Sequence, residues 1–388
     1  MKKKSHKKKI CYLIAVALLF ISSFTYSSAN EFDVNAKSAI LIDAGSGKVL
    51  YENNSHQKLP PASVTKIMTM LLTMEAIERK QITLEDKVTI SEHASSMGGS
   101  QLYLEPGEQR SVEQLIKGVA IASANDACVA LAEHIAGSQE LFVKKMNQRA
   151  SELGMKNTQF MNTNGLPQEG HYTSAYDISL MSRELLKHPK IHEWLTIWMS
   201  SMKVGKKGRA TLELTNTNKL IRFYPGANGL KTGFTQEAKF CLSASAKRNN
   251  FTLVAVVLGS PTSKIRFAEA RKLLDYGFST YNSVQISKKD EVFDEIRVEK
   301  GKLDKINIVA KEELKVLVRK GGEGDVKKEI IIPESVKAPF KKGDKVGEIL
   351  VTNSKGENLG KVDLVTENEC KRASIFNTFG KILKSISK

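Results

Sequence analysis

A serine and a lysine three residues apart, Ser63 and Lys66, have the types and spacing of a nucleophile and its base. Apolar side chains in residues 64–72 recur with the period of a buried helix, and two prolines mark where that helix begins. Side chains three residues apart on a helix share one face, so the Lys66 amine can reach the Ser63 hydroxyl. The spacing therefore predicts an activated serine in the first turn of a buried helix.

This pair needs two further groups before it can react. An ammonium cannot accept a proton, so the pKa of Lys66 must be lowered by burial or by a second cation. The acyl oxygen that becomes negative during attack needs backbone N–H donors, which the N-terminal turn of a helix presents at Ser63. Taken alone, the pair is more simply explained as a helix-capping serine and a solvated lysine. The rest of the chain must therefore supply the second cation.

Two more polar motifs follow, Ser123-Ala124-Asn125 and Lys231-Thr232-Gly233. The first interrupts two apolar segments that both have helical patterns, a local conflict of the kind found at functional sites. The second opens a segment with strand propensity. Between them a loop carries His171, which we expect to be a loop or surface histidine and not a catalytic one.

Strand patterns flank a long helical region. Residues 38–44 and 48–52 read as two strands joined by a glycine turn, and the pattern from 65 to about 164 is mainly helical. Three further strands are predicted near residues 228–234, 240–246 and 251–258. Strands split by a helical insert predict an α+β fold in which a five-stranded antiparallel sheet carries a helical cluster.

The C-terminal third changes in composition. Short lysine- and glutamate-rich strands separated by glycine turns predict a small all-β domain at residues 287–367. Residues 368–388 follow as a predicted amphipathic helix, because apolar residues from Ile375 to Ile386 recur at helical spacing with lysines elsewhere on the wheel. Such a helix suits a membrane surface, and packing on the protein's own domain is the alternative.

The N-terminus has the pattern of a secretory signal peptide, predicted as residues 1–29. Six lysines in residues 2–9 precede an apolar run at 10–24, and small residues at 27–29 offer a cleavage site. The apolar run is short for a membrane span. We therefore expect an exported protein whose first domain occupies residues 30–286.

Composition limits the partners. The chain has 388 residues and a formal net charge of +17, which in an exported protein favours an anionic surface. The sequence has no cysteine and histidine cluster of zinc spacing, no phosphate loop and no nucleic-acid module, so we expect no metal, no other cofactor and no nucleic-acid partner. Cys128 and Cys241 are expected to be packed thiols, although a bridge between them stays open.

The three motifs, in this order, resemble the active site of the penicillin-binding protein and serine β-lactamase superfamily. Within it the chain resembles the low-molecular-weight D-alanyl-D-alanine carboxypeptidases over nearly its whole length. Ala124 stands where the family commonly has glycine, a change that touches no reacting group. The segments that carry the likeness are Pro61-Ala62-Ser63, Ser123-Ala124-Asn125-Asp126-Ala127, Gly229-Leu230-Lys231-Thr232-Gly233 and Ile265-Arg266-Phe267.

This resemblance implies a reaction and assigns its catalytic groups. Ser63 would be acylated by the penultimate D-alanine of a peptidoglycan stem peptide, with loss of the terminal one, and Lys66 would be the general base. Ser123 would relay a proton to the leaving amine. β-Lactam antibiotics would act as inhibitors because they acylate the same serine.

It also assigns the binding groups on the third motif and around it. Lys231 would be the second cation and would hold the terminal carboxylate, to which Thr232 adds a hydrogen bond. Asn125 would position a substrate amide, and Gly233 belongs to the same substrate-binding strand. The N–H groups of Ser63 and Phe234 would form the oxyanion hole. For Arg266, supporting the carboxylate pocket and bracing the fold stay equally open.

Several alternatives remain at this point. A class A β-lactamase usually has an E-x-x-L-N segment between the second and third motifs, and this sequence has none there. An endopeptidase or transpeptidase would differ only in the acceptor of the acyl group. A non-catalytic wall scaffold is disfavoured by the intact motifs. The expected location is the outer face of the cytoplasmic membrane, with the C-terminal helix as a peripheral anchor.

Overall fold

The computed structural model describes residues 33–374 except 207 and 209. The strands of this part are β1 (Ser38–Asp43), β2 (Val49–Asn53), β3 (Lys87–Thr89), β4 (Gln109–Ser111), β5 (Met199–Val204), β6 (Ala210–Thr215), β7 (Ala227–Thr235), β8 (Lys239–Arg248), β9 (Phe251–Ser260), β10 (Tyr281–Ser287), β11 (Val292–Glu299), β12 (Lys305–Ala310), β13 (Leu314–Arg319), β14 (Lys327–Ile331), β15 (Ser335–Lys337), β16 (Lys345–Thr352) and β17 (Asn358–Thr366). Its α-helices are α1 (Lys66–Glu78), α2 (Glu92–Ser95), α3 (Val112–Ala122), α4 (Asn125–Ala136), α5 (Gln139–Glu152), α6 (Ala175–Leu185), α7 (His192–Leu195), α8 (Leu220–Phe223) and α9 (Ser263–Thr280). Short 3₁₀ turns lie at Ala62–Thr65, Pro189–Ile191 and Glu323–Asp325.

The predicted five-stranded sheet is present, with strand order β2-β1-β9-β8-β7. All its neighbouring strands are antiparallel. Successive side chains of a strand point to opposite faces, and every residue of β9 from Leu253 to Leu258 is fully buried, so both faces of the sheet are covered. The helices α6 and α9 pack against this strand. The strand β7 lies at the edge of the sheet, where it is open to the Ala62–Thr65 turn.

A central helix, α1, organises the helical cluster. It packs against α3, α4, α5 and α6. Ten of its thirteen residues are buried, so it is enclosed nearly all round and not on one face only. The predicted helical region is interrupted by the two-stranded antiparallel sheet of β3 and β4 and by an irregular loop at residues 157–173. Three-residue strands are too short to show an alternating pattern, which is why the sequence did not indicate them.

A second sheet forms the C-terminal all-β region. Its strand order is β14-β16-β17-β12-β11-β15, with a parallel pair between β11 and β15. The sequence predicts four strands of this region at residues 292–298, 306–309, 314–318 and 330–332. They correspond to β11, β12, β13 and β14, and only β14 ends one residue earlier than predicted. The predicted boundary between residues 286 and 287 falls at the end of β10, which pairs with β13.

The chain after β17 is held along this second sheet. The backbone of Cys370 forms an isolated antiparallel β-bridge with that of Phe340. The amide of Ala373 donates to the carbonyl of Lys300 at 2.9 Å. Residues 368–374 are therefore not helical, which corrects the start of the predicted tail helix. Its remainder, 375–388, and the predicted signal peptide lie outside the described residues. Among the described helices, none has the length and apolar character needed to cross a membrane.

Candidate active site

Ser63 lies on the 3₁₀ turn Ala62–Thr65, and the α-helix begins only at Lys66. This differs from the predicted position in the first turn of the helix. Ala62 has a left-handed backbone with φ of 48°, and its carbonyl is packed against Gly165, where any Cβ would collide with the carbonyl oxygen. Contact with a loop distant in sequence thus stabilises the 3₁₀ conformation of this turn. The local sequence pattern does not indicate such a tertiary contact.

The predicted pair is in contact. Lys66 Nζ lies 2.9 Å from Ser63 Oγ and donates a second hydrogen bond to the carbonyl oxygen of Asn164 at 2.6 Å. Lys66 is fully buried, whereas Ser63 is half-buried. Burial lowers the pKa of Lys66 to about 8, which the negative forms of Cys128 and Asp126 partly oppose. Above this pH the amine is neutral and can accept the serine proton.

The residue predicted as the second cation, Lys231, lies on β7. It is 1% exposed and donates to the carbonyl of Thr232 at 3.1 Å. Burial lowers its pKa well below the usual value, and the charge of Lys66 lowers it further. For Lys66 itself the cause of the lowered pKa is burial, and a contribution from Lys231 stays a prediction. Like charges repel, so the interaction between the two lysines favours a neutral amine in the pair.

The second motif forms a sharp junction between two helices. α3 ends at Ser123, whose φ of 63° and ψ of 33° reverse the chain, and α4 begins two residues later at Asn125. The Asn125 side chain donates to the carbonyl of Gly98 at 2.6 Å. Its buried Oδ1 has no hydrogen-bond partner among the described residues. That oxygen can therefore accept a hydrogen bond from a bound molecule.

The strand β7 approaches the serine at Gly233. A Cβ at this position would lie 3.0 Å from Ser63 N, which is tighter than ordinary side-chain contacts. Glycine thus allows the strand backbone to pass beside the backbone of Ser63. Phe234 follows, with 47% of its surface exposed and its ring 4.4 Å from that of Phe240. The two predicted oxyanion donors lie on neighbouring backbone segments.

Two contacts fix the rest of the third motif. The hydroxyl of Thr232 donates to Thr217 Oγ1 at 2.7 Å, a partner that the sequence reasoning missed. Arg266 donates from one nitrogen to the carbonyls of Gly233 and Cys241, each at 3.1 Å, and is 6% exposed. Of the two roles left open for Arg266, these contacts favour bracing β7 against β8.

His171 lies in a loop, which was one of the two expected positions, but it is buried and not at the surface. Thr65 Oγ1 lies 2.8 Å from its Nε2, and the amide of Met161 donates to its Nδ1 at 3.1 Å. Because Nδ1 accepts, Nε2 carries the proton and donates to Thr65. Burial lowers the pKa of His171 to about 4. The polar residues around it suggest an exposed loop, but that loop folds back over the Ser63 turn.

The remaining predictions near the site concern cysteines. Cys128, Cys241 and Cys370 are buried and free, so no bridge joins the first two. Their burial raises the pKa of Cys128 to about 12 and that of Cys241 to about 11. Both are packed thiols, as expected.

Comparisons with known proteins find similarity over most of the chain. A family model described as D-alanyl-D-alanine carboxypeptidase matches residues 24–262, and one described as penicillin-binding protein 5, C-terminal domain, matches residues 281–372. The chain is 46% identical over 373 residues to the D-alanyl-D-alanine carboxypeptidase DacF of Bacillus subtilis (strain 168), covering 95% of each. It is 37% identical to DacC of Escherichia coli (strain K12), covering 86% of this chain and 85% of that one.

A solved structure extends the likeness to the fold. The crystal structure of penicillin binding protein 5 from Haemophilus influenzae matches with a TM-score of 0.74 and 30% identity, over 88% of this chain and 99% of that one. Sequence and fold thus agree over both the region of the three motifs and the all-β region. The chain belongs to the D-alanyl-D-alanine carboxypeptidase family of serine peptidases, the low-molecular-weight penicillin-binding proteins of peptidoglycan metabolism.

Proposed function

We propose that Ser63 is the nucleophile with which this carboxypeptidase removes the terminal D-alanine from peptidoglycan stem pentapeptides. The observation that carries the proposal is the 2.9 Å contact between Ser63 Oγ and the buried Lys66 amine. With the pKa of Lys66 lowered to about 8, roughly a tenth of the amine is neutral at pH 7 and about half at pH 8.

Acylation follows from this contact. Lys66 Nζ takes the proton of Ser63, and Oγ attacks the carbonyl carbon of the penultimate D-alanine. The backbone N–H groups of Ser63 and Phe234 stabilise the negative oxygen of the intermediate. The C–N bond then breaks, and the proton held by Lys66 is relayed through the Ser123 hydroxyl to the leaving amine, so that Lys66 is neutral again. Free D-alanine departs, and water later cleaves the ester to release the shortened stem peptide.

Binding groups orient the peptide for this attack. Lys231 holds the terminal carboxylate by a charge-assisted hydrogen bond. The Thr232 hydroxyl, which donates to Thr217 in this structure, turns its single proton to the carboxylate when the peptide binds. The unpartnered Oδ1 of Asn125 accepts from a substrate N–H. A β-lactam presents the same carboxylate and a strained amide, so it acylates Ser63 and is released slowly. Arg266 acts as a positioning residue through the backbone of Gly233.

The location is proposed from the sequence at the two ends of the chain. Residues 1–29 act as a signal peptide, and the apolar and basic residues of 375–388 hold the mature enzyme on the outer face of the cytoplasmic membrane. Between them lie the catalytic domain at 30–286 and the all-β domain at 287–367.

One experiment tests the proposal. The mature protein is incubated with a stem pentapeptide ending in D-Ala-D-Ala, and the products and the intact protein mass are measured with and without benzylpenicillin. We expect D-alanine and a tetrapeptide as products and a stable penicillin adduct, both absent in Ser63→Ala. An adduct on another residue would refute Ser63 as nucleophile. Rapid release of hydrolysed penicillin would indicate a β-lactamase, and joined peptides would indicate a transpeptidase.

A further inference from the structure

A buried carboxylate pins the loop that borders Asn125. This segment, residues 98–104, is here called the Asn125 loop. Asp126 is fully buried, and its carboxylate accepts from the amide of Leu102 at 3.0 Å and from that of Leu104 at 3.2 Å. Burial raises the pKa of Asp126, and these backbone hydrogen bonds oppose the rise. Asp126 thus fixes the backbone amides on both sides of Tyr103.

The residue between those amides is unusual in two ways. Tyr103 has φ of 58°, a left-handed backbone that a bulky residue seldom adopts. Its side chain is 65% exposed, the largest value among the exposed large hydrophobic and aromatic residues of the described chain. Its neighbours Leu102 and Leu104 are buried. Strained backbone of this kind persists only where the surroundings enforce it, and it clusters at functional sites.

The Asn125 loop lies directly against the site. Its Gly98 carbonyl holds the Asn125 amide at 2.6 Å, and its Ser100 carbonyl accepts from the backbone amide of Asn125 at 2.7 Å. At Gly99 it approaches Leu166, two residues after Asn164, whose carbonyl holds Lys66. The loop therefore meets the substrate-binding asparagine and the loop that holds the base.

We infer that Tyr103 is a specificity-determining residue, whose ring contacts the side chain of the stem-peptide residue that precedes the D-Ala-D-Ala pair. This inference rests on the proposed function. The terminal carboxylate is assigned to Lys231 and Thr232 on β7. To the unpartnered Oδ1 of Asn125 we assign the N–H of the penultimate D-alanine, because the N–H of the scissile bond belongs to the leaving amine that Ser123 serves. A ring carried by the Asn125 loop thus meets the part of the peptide that comes before the D-alanines.

The chemistry of the ring defines the preferred side chain. An exposed aromatic face gains most from covering a long aliphatic chain, and a cationic end adds attraction to the ring. A diamino acid such as lysine has both features, whereas alanine has neither. The hydroxyl of Tyr103 is not needed for either contact, so phenylalanine should replace it.

The test compares two peptides that differ only in this side chain, Nα-acetyl-L-lysyl-D-alanyl-D-alanine and Nα-acetyl-L-alanyl-D-alanyl-D-alanine. kcat/KM is measured from released D-alanine for each. We expect the wild type to prefer the lysyl peptide about tenfold, which corresponds to ~1.4 kcal/mol. Tyr103→Ala should reduce this preference to about twofold or less, and Tyr103→Phe should keep it.

Further variants separate recognition from folding. Tyr103→Gly removes the ring and relieves the left-handed strain, so it should fold and lose the preference as Tyr103→Ala does. Leu141→Ala removes another exposed side chain, 48% exposed on α5, and should keep the preference. A preference that survives in both Tyr103→Ala and Tyr103→Gly, or a wild type without any, would overturn the inference alone. A wild type that releases D-alanine from neither peptide would overturn the proposed function and this inference with it.

Discussion

On the proposed mechanism, the protonation state of Lys66 sets the pH at which Ser63 reacts. Burial lowers the pKa of this lysine to about 8, so the amine becomes neutral as the pH rises through that value. We expect the rate of acylation by benzylpenicillin to rise about tenfold per pH unit below pH 8 and to level off above it. Adduct formation followed by mass spectrometry from pH 6 to 10 gives the profile. Lys66→Arg, with a cation that keeps its proton, should stay slow throughout, and a flat wild-type profile would exclude Lys66 as base.

His171 couples the stability of the Ser63 turn to acid. The pKa of His171 is about 4 in the folded protein and 6.5 in the reference state, so the unfolded chain binds the proton first as the pH falls. Its stabilising contribution is complete above pH 6.5 and is lost progressively down to about pH 4. We expect the free energy of unfolding to be ~2 kcal/mol lower at pH 5 than at pH 7 from this residue.

Chemical denaturation of matched variants at the two pH values checks this expectation. His171→Gln removes the titrating ring, so the pH 5 to pH 7 difference should shrink by about that amount even if the variant is less stable overall. His56→Gln replaces an exposed histidine and should leave the difference unchanged. A wild-type difference that persists in His171→Gln would assign the acid sensitivity to other groups.

Side-chain identity indicated the candidate residues of the site better than the groups that support them. Ser63, Lys66 and Lys231 are indicated by local motifs, and the structure places Ser63 and Lys66 in contact. The Asn164 carbonyl that holds Lys66 is backbone, which no residue type signals. Thr217 lies in the polar run 215–218, a signal that could have been used but that is common in loops.

At the scale of elements, Gly165 joins the irregular loop to the Ser63 turn. Gly165→Ala places a methyl group against the Ala62 carbonyl, so we expect the turn to shift and penicillin acylation to fall by at least a hundredfold. Gly137→Ala is the matched control, because Gly137 has φ of 85°, close to the 84° of Gly165, but no atom within 4 Å of the added Cβ. It should cost about 1 kcal/mol of stability and keep acylation near wild type. Equal rates for the two variants would show that the contact with Ala62 is unimportant.

Element types followed from sequence where a pattern extended over enough residues. The strands β8 and β9 are long, largely apolar runs, and α1 has helical spacing. All three were therefore predicted near their observed positions. The 3₁₀ turn at Ser63 was not predicted, because tertiary contacts determine it. The antiparallel pair of β3 and β4 was not predicted either, because these strands are short. The ends of elements, unlike their types, depend on such contacts.

At the scale of the whole molecule, the structure shows that the tail is best removed after residue 374, and not at its predicted start, residue 368. Residues 370–373 pair with the all-β region, so a mature chain ending at Ser374 keeps those contacts. We expect that chain to release D-alanine at the wild-type rate and to lose binding to anionic vesicles, measured by co-sedimentation. High salt should weaken vesicle binding of the full-length chain only in part, because the apolar contribution is not screened.

A shorter chain provides the comparison. Ending at Glu369 also removes Cys370 to Ala373, whose partners include Phe340 and Lys300, so we expect a lower melting temperature of the all-β region with the site intact. A chain ending at Ser374 that remained on vesicles would contradict the anchor at 375–388.

The all-β character of the C-terminal region was predictable because composition changes sharply near residue 287. The pairing within the second sheet was not, since its order and the parallel contact of β11 with β15 depend on partners far apart in the chain. Residues 370–373 read as the start of a helix, and only their hydrogen bonds to the second sheet show otherwise.

The strand order of the first sheet also determines when the enzyme becomes active. β1 lies between β2 and β9, and β7 carries Lys231 and Gly233 to the Ser63 turn. During synthesis the nucleophile is therefore made early, and the groups that complete its surroundings are made much later. Such long-range pairing is slow, because loop closure precedes the gain from contact. Until β1 pairs with β9, the sheet does not hold β7 beside the Ser63 turn, even in a chain that already contains Lys231 and Gly233. On the proposed mechanism, activity therefore begins only when this sheet closes.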